Sequence, residues 1–425
     1  MKLTIPEPKI VLYTDGLKEH DKLDRKPMAT KLSNLVESID DPLVIALDGG
    51  WGSGKSVFLK CWVGEHLKTH PDKATTLYFD AFAHDYLDDP LIALTGALAE
   101  RLEDEDATPA LLQTLRQAAF KLLPMAARLG AAALTSGVSM IAEPTVAAIV
   151  EQATDNVEDA ATAYWKQADG RHAAMEEFRD ALTALTKPDE NDAPTQKLVI
   201  VIDELDRCRP DYALQMLEVI KHFFATPGVH FVLGTNMQEL ANSVRARYGE
   251  RIDAERYLHK FVQITMPIMP RRTHSSSGPN MLRHFEYVSN ALEIDAETSS
   301  YFRDYLGMIS PHSLATLRDV ERLATLITIT PPVHSIDMYE REIFTGLLIM
   351  QVLKPNLIEL ARKGELTPKQ MDAFFGWNSK LPNGLYGDQL RWIWHAYLHP
   401  TDDALNHREA LSKISDSFVR GIRAN

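Results

Sequence analysis

A glycine-rich octet, Gly49-Gly50-Trp51-Gly52-Ser53-Gly54-Lys55-Ser56, lies between an apolar run, Leu43–Asp48, and a stretch of helical period, Ser56–Lys68. It fits G-x-x-x-x-G-K-[ST] at every fixed position. This order of strand, glycine turn and helix narrows what the chain can fold into more than any other feature. Glycines let successive backbone N–H groups turn inward, and the helix that follows presents the positive end of its dipole at the same place. A row of phosphate oxygens fits that cradle. Lys55 would reach the β- and γ-phosphates and the Ser56 hydroxyl would ligate Mg²⁺, with Gly49, Gly50, Trp51, Gly52, Ser53, Gly54 and Val57 forming the seat. The competing reading is a glycine turn that holds no phosphate, and the flanking strand and helix weigh against it.

A second run, Leu198-Val199-Ile200-Val201-Ile202, is apolar throughout and ends in Asp203-Glu204. Such a run is buried on both faces, as in a parallel sheet, and ligands gather at the C-terminal tips of such strands. Asp203 would hold Mg²⁺ through water, while Glu204, facing the other way, would orient and polarise an attacking water. The plainer alternative is a pair of acids that caps a strand before a solvated turn. Leu205-Asp206-Arg207-Cys208-Arg209-Pro210 follows directly. For Arg207 two readings stand: a finger on a neighbouring subunit's nucleotide, or a salt bridge with Asp206 that shapes the turn. A third run, Phe231–Thr235, ends at Asn236, placed either to sense the γ-phosphate or to serve as an ordinary turn residue.

These runs alternate with helical segments, which predicts an α/β core with a mainly parallel sheet flanked by helices. Thr75–Phe79 reads as a further strand, and Leu91–Leu102 and Tyr212–Ala225 as helices. We divide the chain into the first part of the core (1–104), a helical insertion between the two acid-and-phosphate motifs (105–195), the second part of the core (196–272), a helical lid (273–335) and an all-helical C-terminal region (336–425). The insertion is Ala-rich and closes at the acidic linker Lys187–Pro194. Its uncharged run Leu129–Ala142 is shorter than the roughly 18–20 residues a spanning helix needs, so a buried or partner-facing helix is expected there rather than a membrane anchor. A Ser-rich loop, Thr273–Gly278, opens the lid.

Composition removes several classes. The net charge of −14 speaks against a general nucleic-acid coat, and two cysteines, Cys61 and Cys208, cannot build a disulfide framework or a Cys-rich zinc site. No secretory leader is read at MKLTIPEPKI, and the cytoplasm is the expected compartment. The 15 histidines form no H-E-x-x-H or comparable spacing; His84, His259 and His312 read as structural, and no metal besides Mg²⁺ is expected. In the last hundred residues Met338–Leu353 reads as a buried helix. Phe374-Phe375-Gly376-Trp377 and Arg391-Trp392-Ile393-Trp394-His395 set aromatics beside basic groups; core packing and a protein-partner surface are both preferred there to base stacking.

Taken in order, these blocks resemble the KAP family of P-loop ATPases, related to the AAA+ and STAND groups. The resemblance rests on Asp21-Lys22-Leu23-Asp24-Arg25, the octet G-G-W-G-S-G-K-S, Leu77-Tyr78-Phe79-Asp80-Ala81-Phe82, Asp203-Glu204-Leu205-Asp206-Arg207-Cys208 and Glu255–Phe261, which would follow the last strand. It covers about residues 10–330. Asp80 and Phe82 stand where Asn and Trp are usual, Glu204 stands for Asp, and Asn236 stands for an acid. The resemblance implies a P-loop NTPase core that binds ATP and Mg²⁺, with Leu23 and Arg25 near adenine. It also implies that an arginine of a lid helix beginning near Ser313 touches the γ-phosphate. Arg318 is the first choice and Arg322, one turn on, the second; two solvated cations at i,i+4 would repel, which favours an anionic partner for at least one, the alternative being a salt bridge at the surface or core edge.

The expected activity is Mg²⁺-dependent ATP hydrolysis that drives a conformational switch or remodeller. Self-association would supply Arg207 or Arg209 in trans, and a protein partner would bind the insertion or the C-terminal region. Prokaryotic relatives link the family to phage exclusion, which implies anti-phage defence. Three rivals are a nucleotide-holding scaffold with little turnover, a peripheral membrane organiser acting through residues 129–150, and a nucleic-acid translocase.

Overall fold

The computed structural model describes residues 8–71, 73–87, 89–103, 108–122, 173–268, 280–309, 316–330, 336, 338–377 and 384–398. The run at 129–150, the Ser-rich loop 273–278, His312 and Ser313–Ala315 lie outside the described residues.

Five strands form one sheet: β1 (Leu43–Asp48), β2 (Ala74–Asp80), β3 (Lys197–Asp203), β4 (Val229–Thr235) and β5 (Ile264–Pro267). Their order is β2-β3-β4-β1-β5 and every pairing is parallel. The two central strands β3 and β4 are buried at every residue, as their unbroken apolar runs require. Side chains alternate between two cores. Leu198, Ile200 and Ile202 of β3 join one cluster with Val44 and Ala46 of β1, while Val199 and Val201 join the other with Leu43, Ile45 and Leu47. The first face carries helices Pro90–Glu103, Pro109–Leu122, 173–185, Pro210–Phe223 and Met237–Tyr248; the second carries Lys26–Glu37 and the P-loop helix Lys55–Thr69.

The fifth strand corrects the reading of β4 as the last. β5 is only Ile-Thr-Met-Pro, runs along Ile45–Asp48 at the sheet edge and buries Met266 alone among its four residues. A half-exposed edge strand ending in proline leaves no continuous apolar run to find. The described flanks of the 105–195 stretch are built into the core: Leu112, Leu115, Phe178 and Leu182 pack in the same cluster as Leu77, Phe79 and Ile200.

After β5 every described element is a helix, and seven helices from Asn280 to Leu398 share a separate core. Met338–Leu353 is one of them, with the bounds read from sequence. Phe375, Trp377 and Trp394 lie inside this core, Phe375 stacking on Trp377 at 4.4 Å between ring centroids. Arg391 and His395 both pair with Asp372, at 2.8 Å and 2.7 Å. These aromatics and cations therefore brace the fold, and Trp392 is the one of the tryptophans there left exposed. No described helix is long and apolar enough to cross a membrane.

Candidate active site at the strand tips

Because β4 lies between β1 and β3, their C-terminal ends meet: Asp48 pairs with Thr235, Asp203 with Gly234, and Asp80 with Asp203 across β2. The phosphate loop leaves β1 at this edge. Gly49 N–H donates to the Thr235 carbonyl at 3.2 Å. Gly52 and Gly54 have φ of 75° and 80°, a left-handed backbone that glycine adopts without strain, and Gly54 opens the P-loop helix. Lys55 curls back over the loop, donating to the carbonyls of Gly49 and of Gly50, the latter at 3.3 Å. Burial lowers its pKa, while Asp206, Asp203 and Asp48 pull the other way.

Asp203 is fully buried and takes three hydrogen bonds: from the Tyr78 hydroxyl (2.7 Å), the Glu204 amide (3.0 Å) and the Ser56 hydroxyl. Only a glycine at 234 leaves it room, since a Cβ there would fall 2.3 Å from Asp203 Oδ1. Desolvation raises its pKa in spite of these donors. A buried carboxylate penalised for its charge, beside a hydroxyl on the phosphate loop, is a hard-oxygen donor pair that fits Mg²⁺. Val57, next along the helix, is half-buried against the second core and lends apolar support.

Glu204 sits at φ 60°, a left-handed conformation uncommon outside glycine and one that holds its side chain off the line of β3. Its amide also donates to the Gly234 carbonyl at 3.1 Å. The carboxylate is paired with Arg207 Nη1, 3.0 Å from Oε1 and 3.1 Å from Oε2. Desolvation raises the pKa of Glu204, Arg207 opposes, and Asp203 and Asp80 add to the rise. The Asp206–Arg207 salt bridge entertained from sequence is not formed. Asp206 instead accepts from the Trp51 indole at 2.6 Å, which ties the loop to the acidic turn. Arg209 is turned away: its amide and guanidinium bind the Asp85 carboxylate and carbonyl.

Asn236 caps helix Met237–Tyr248, its side-chain oxygen accepting from Gln238 N–H at 3.2 Å, which leaves its amide nitrogen for another partner. The lid helix Leu317–Thr328 rests on the phosphate loop. Its N-terminus is fixed by a Thr316–Asp319 capping box, and Leu317 N–H donates to the Gly52 carbonyl at 3.1 Å. Arg318 is exposed beside Gly52 and forms no ion pair among the described residues. Together with Trp51, Phe82, Asp206 and Arg207 it lines an open cleft of about 610 Å³. Arg322 is exposed and lies outside that lining.

Arg25 occupies a place that sequence reasoning did not anticipate. Its guanidinium, 6% exposed, donates to the carbonyls of Ser53 (2.6 Å) and Gly54 (3.0 Å), so it grips the backbone of the phosphate loop. Leu23 is half-buried, with its amide on the Asp21 carboxylate, and Asp24 pairs with Arg283 of helix Asn280–Ala291, the first described helix of the lid region. The segment 21–25 thus bridges phosphate loop and lid. Tyr78 is the other site residue missed. It stands in the block Leu77–Phe82 that carries the resemblance, two residues before the tip of β2, but nothing there gives it a role.

Two structures of the Aeropyrum pernix ORC2 protein, one of its ADPNP-ADP complexes and one of its ADP form, align with TM-scores of 0.35 and 0.34. They are 12% and 10% identical to this chain, and the alignments cover 99% of it and 98% and 97% of theirs. No curated protein sequence matches. The sequence does match the KAP family P-loop domain, from residue 25, the arginine that grips the phosphate loop, to residue 333, beyond the lid helix, and the chain belongs to that family.

Proposed function

We propose that this protein binds ATP with Mg²⁺ at the tips of β1, β3 and β4, hydrolyses it, and uses the cycle to reposition its helical C-terminal region. The observation that carries the reading is the shared contact of loop and lid: Leu317 hydrogen-bonds Gly52, inside the loop that would wrap the phosphates. A change in that loop is felt directly by the lid helix.

Lys55 would move from its own loop's carbonyls to the β- and γ-phosphates, a short swing at a fixed helix start. Mg²⁺, held through Ser56 and Asp203, would neutralise charge on the phosphate oxygens. Glu204 would orient the water, with its raised pKa making it a better proton acceptor than an ordinary carboxylate. Asn236 and Arg318 would contact the γ-phosphate. Leu23, half-buried in the segment 21–25, would meet the base. A homo-oligomer would bring a neighbour's arginine to the open cleft, and a protein client would bind the helical region. A role in a defence assembly against phage follows from the family resemblance, and work in the cytoplasm from the two isolated cysteines, which suit a reducing compartment.

The Glu204–Arg207 pair favours a second reading, a scaffold that holds nucleotide with little turnover, because the base is engaged within its own chain. Phosphate release by the wild type, Glu204→Gln and Arg207→Ala decides between them. Hydrolysis through Glu204 predicts a fall of about 10²–10⁴-fold in the glutamine variant. If Arg207 restrains the base, Arg207→Ala releases phosphate faster than the wild type; if it is a finger, release falls. Negligible release by all three, with nucleotide still bound, would leave the scaffold.

A further inference from the structure

The far end of the P-loop helix carries a cluster that nucleotide chemistry does not use. His66 and His70 lie one turn apart near its C-terminus, about 16 Å along the helix from Lys55 at 1.5 Å per residue. Glu37, the last residue of helix Lys26–Glu37, faces them. One ligand atom from each of the three lies within 4.8 Å of the other two.

From these residues we infer a transition-metal site of the zinc class, with Glu37, His66 and His70 as ligands and water completing a tetrahedron. Four-coordinate zinc at its usual bond lengths spaces its ligands about 3.3 Å apart. His66 Nε2 and Glu37 Oε1 are already 3.2 Å apart. Both atoms are buried, and their contact is an ion pair that falls short of a well-aligned hydrogen bond, so two ligand atoms converge on one point with bonding capacity left over. His66 has no exposed surface, and its other ring nitrogen is 3.0 Å from Ser33 Oγ, which also accepts from the Trp62 indole at 3.0 Å. That outer contact fixes the ring and leaves Nε2 for the metal. His70 Nδ1 lies 3.0 Å from Thr69 Oγ1 and 3.3 Å from the His66 carbonyl, which leaves its Nε2 as well. His70 is half-buried, with a ring nitrogen within 4.8 Å of the other two ligand atoms. Two helix C-termini end here, and their dipoles favour a cation. The i,i+4 histidines were overlooked in the sequence because their third ligand comes from an element 29 residues upstream of His66.

The site would pin together the helix that follows Arg25 and the helix that follows the phosphate loop, at the ends remote from the nucleotide. The test uses the full, untagged chain, stripped with chelator and dialysed against Zn²⁺ with excess Mg²⁺ to occupy the Ser56–Asp203 oxygens. The expected result is one zinc retained per chain, a higher melting midpoint with zinc, and the visible bands of four-coordinate cobalt on Co²⁺ substitution. His70→Ala and Glu37→Gln, both at partly exposed positions, should keep their circular dichroism and lose more than the roughly 10–100-fold in affinity that removing a partner one shell further out costs. Wild type that retains no zinc and melts at the same midpoint with and without it would show Glu37 and His66 to be an ion pair only. Equal retention by the two variants would place the metal elsewhere. Either result overturns the inference.

Discussion

Arg25 offers the sharpest test of how the phosphate loop is held, because the family resemblance and the structure assign it different work. Its guanidinium forks onto the carbonyls of Ser53 and Gly54. Hydrogen bonds to charged groups contribute roughly 1.5–3 kcal/mol each, so the fork is worth about 3–6 kcal/mol gross. Against that stands the loss of water. Burial lowers the pKa of Arg25 to about 10 from the ordinary 12.5, which at 1.36 kcal/mol per pH unit is a cost on the order of 3 kcal/mol. Arg25→Lys keeps a charge that must still be desolvated but has no fork, and so loses one of the two bonds. The loop should loosen by about 2 kcal/mol, or roughly 30-fold in phosphate affinity if the loss falls wholly on the loop. Arg25→Met loses both bonds but sheds the desolvation cost, so its melting point should fall less than the bond count suggests. The decisive assay compares ATP with inorganic tripolyphosphate by calorimetry. A loop-gripping arginine predicts parallel losses for both ligands in Arg25→Lys. If ATP binding weakens while tripolyphosphate binding does not change, Arg25 serves the base and the reasoning from loop geometry is refuted.

The coupling of loop to lid predicts the behaviour of Gly52→Ala. The new methyl would lie 2.7 Å from Arg318 Cβ and 3.0 Å from Thr316 Oγ1, on a backbone at φ 75°. The left-handed conformation alone costs about 1–2 kcal/mol for a residue with a Cβ, and the clash adds to it. Hydrogen exchange in Leu317–Thr328 should accelerate while the central strands stay protected, and unchanged exchange in that helix would refute the contact. His230, fully buried on β4, predicts an acid response. Burial, with Lys197 adding, lowers its pKa to about 4. The group is neutral in the fold but charges near the ordinary 6.5 when unfolded, so its contribution is complete above 6.5 and is lost as pH falls from there toward 4. The loss approaches about 3 kcal/mol. Urea midpoints at several pH values should therefore show a steeper acid decline for the wild type than for His230→Leu, and parallel curves would count against it.

What could be read from the chain, and what could not, divides by the distance over which each contact acts. Strands β1, β3 and β4 were legible because a strand buried on both faces needs an unbroken apolar run, and each run ended in the polar residues that now meet at the sheet edge. The bounds of Leu43–Asp48 came out unchanged. β5 escaped because an edge strand need bury little. The loop and the acids were legible for the same local reason: backbone amides that face phosphate demand glycines in order, and Asp203 and Glu204 end a strand. Their neighbours were not. Arg25 reaches the loop across 28 residues and Tyr78 reaches Asp203 across 125, and no spacing rule connects residues joined only by the packing of separate elements.

Arg207 is the instructive intermediate. Position alone put it beside the acidic tip of β3, but whether it took Asp206 or Glu204 depended on Trp51, 155 residues from Asp206, claiming that carboxylate first. An indole donor on Asp206 leaves Arg207 to Glu204, the acid proposed above to activate water. With Glu204 as the proposed base, the same arginine would restrain hydrolysis in a lone chain. In an assembly, a stronger anion such as a neighbour's γ-phosphate would draw it away and free Glu204. Turnover that rises with protein concentration in the wild type, but not in Arg207→Ala, is the behaviour this exchange requires.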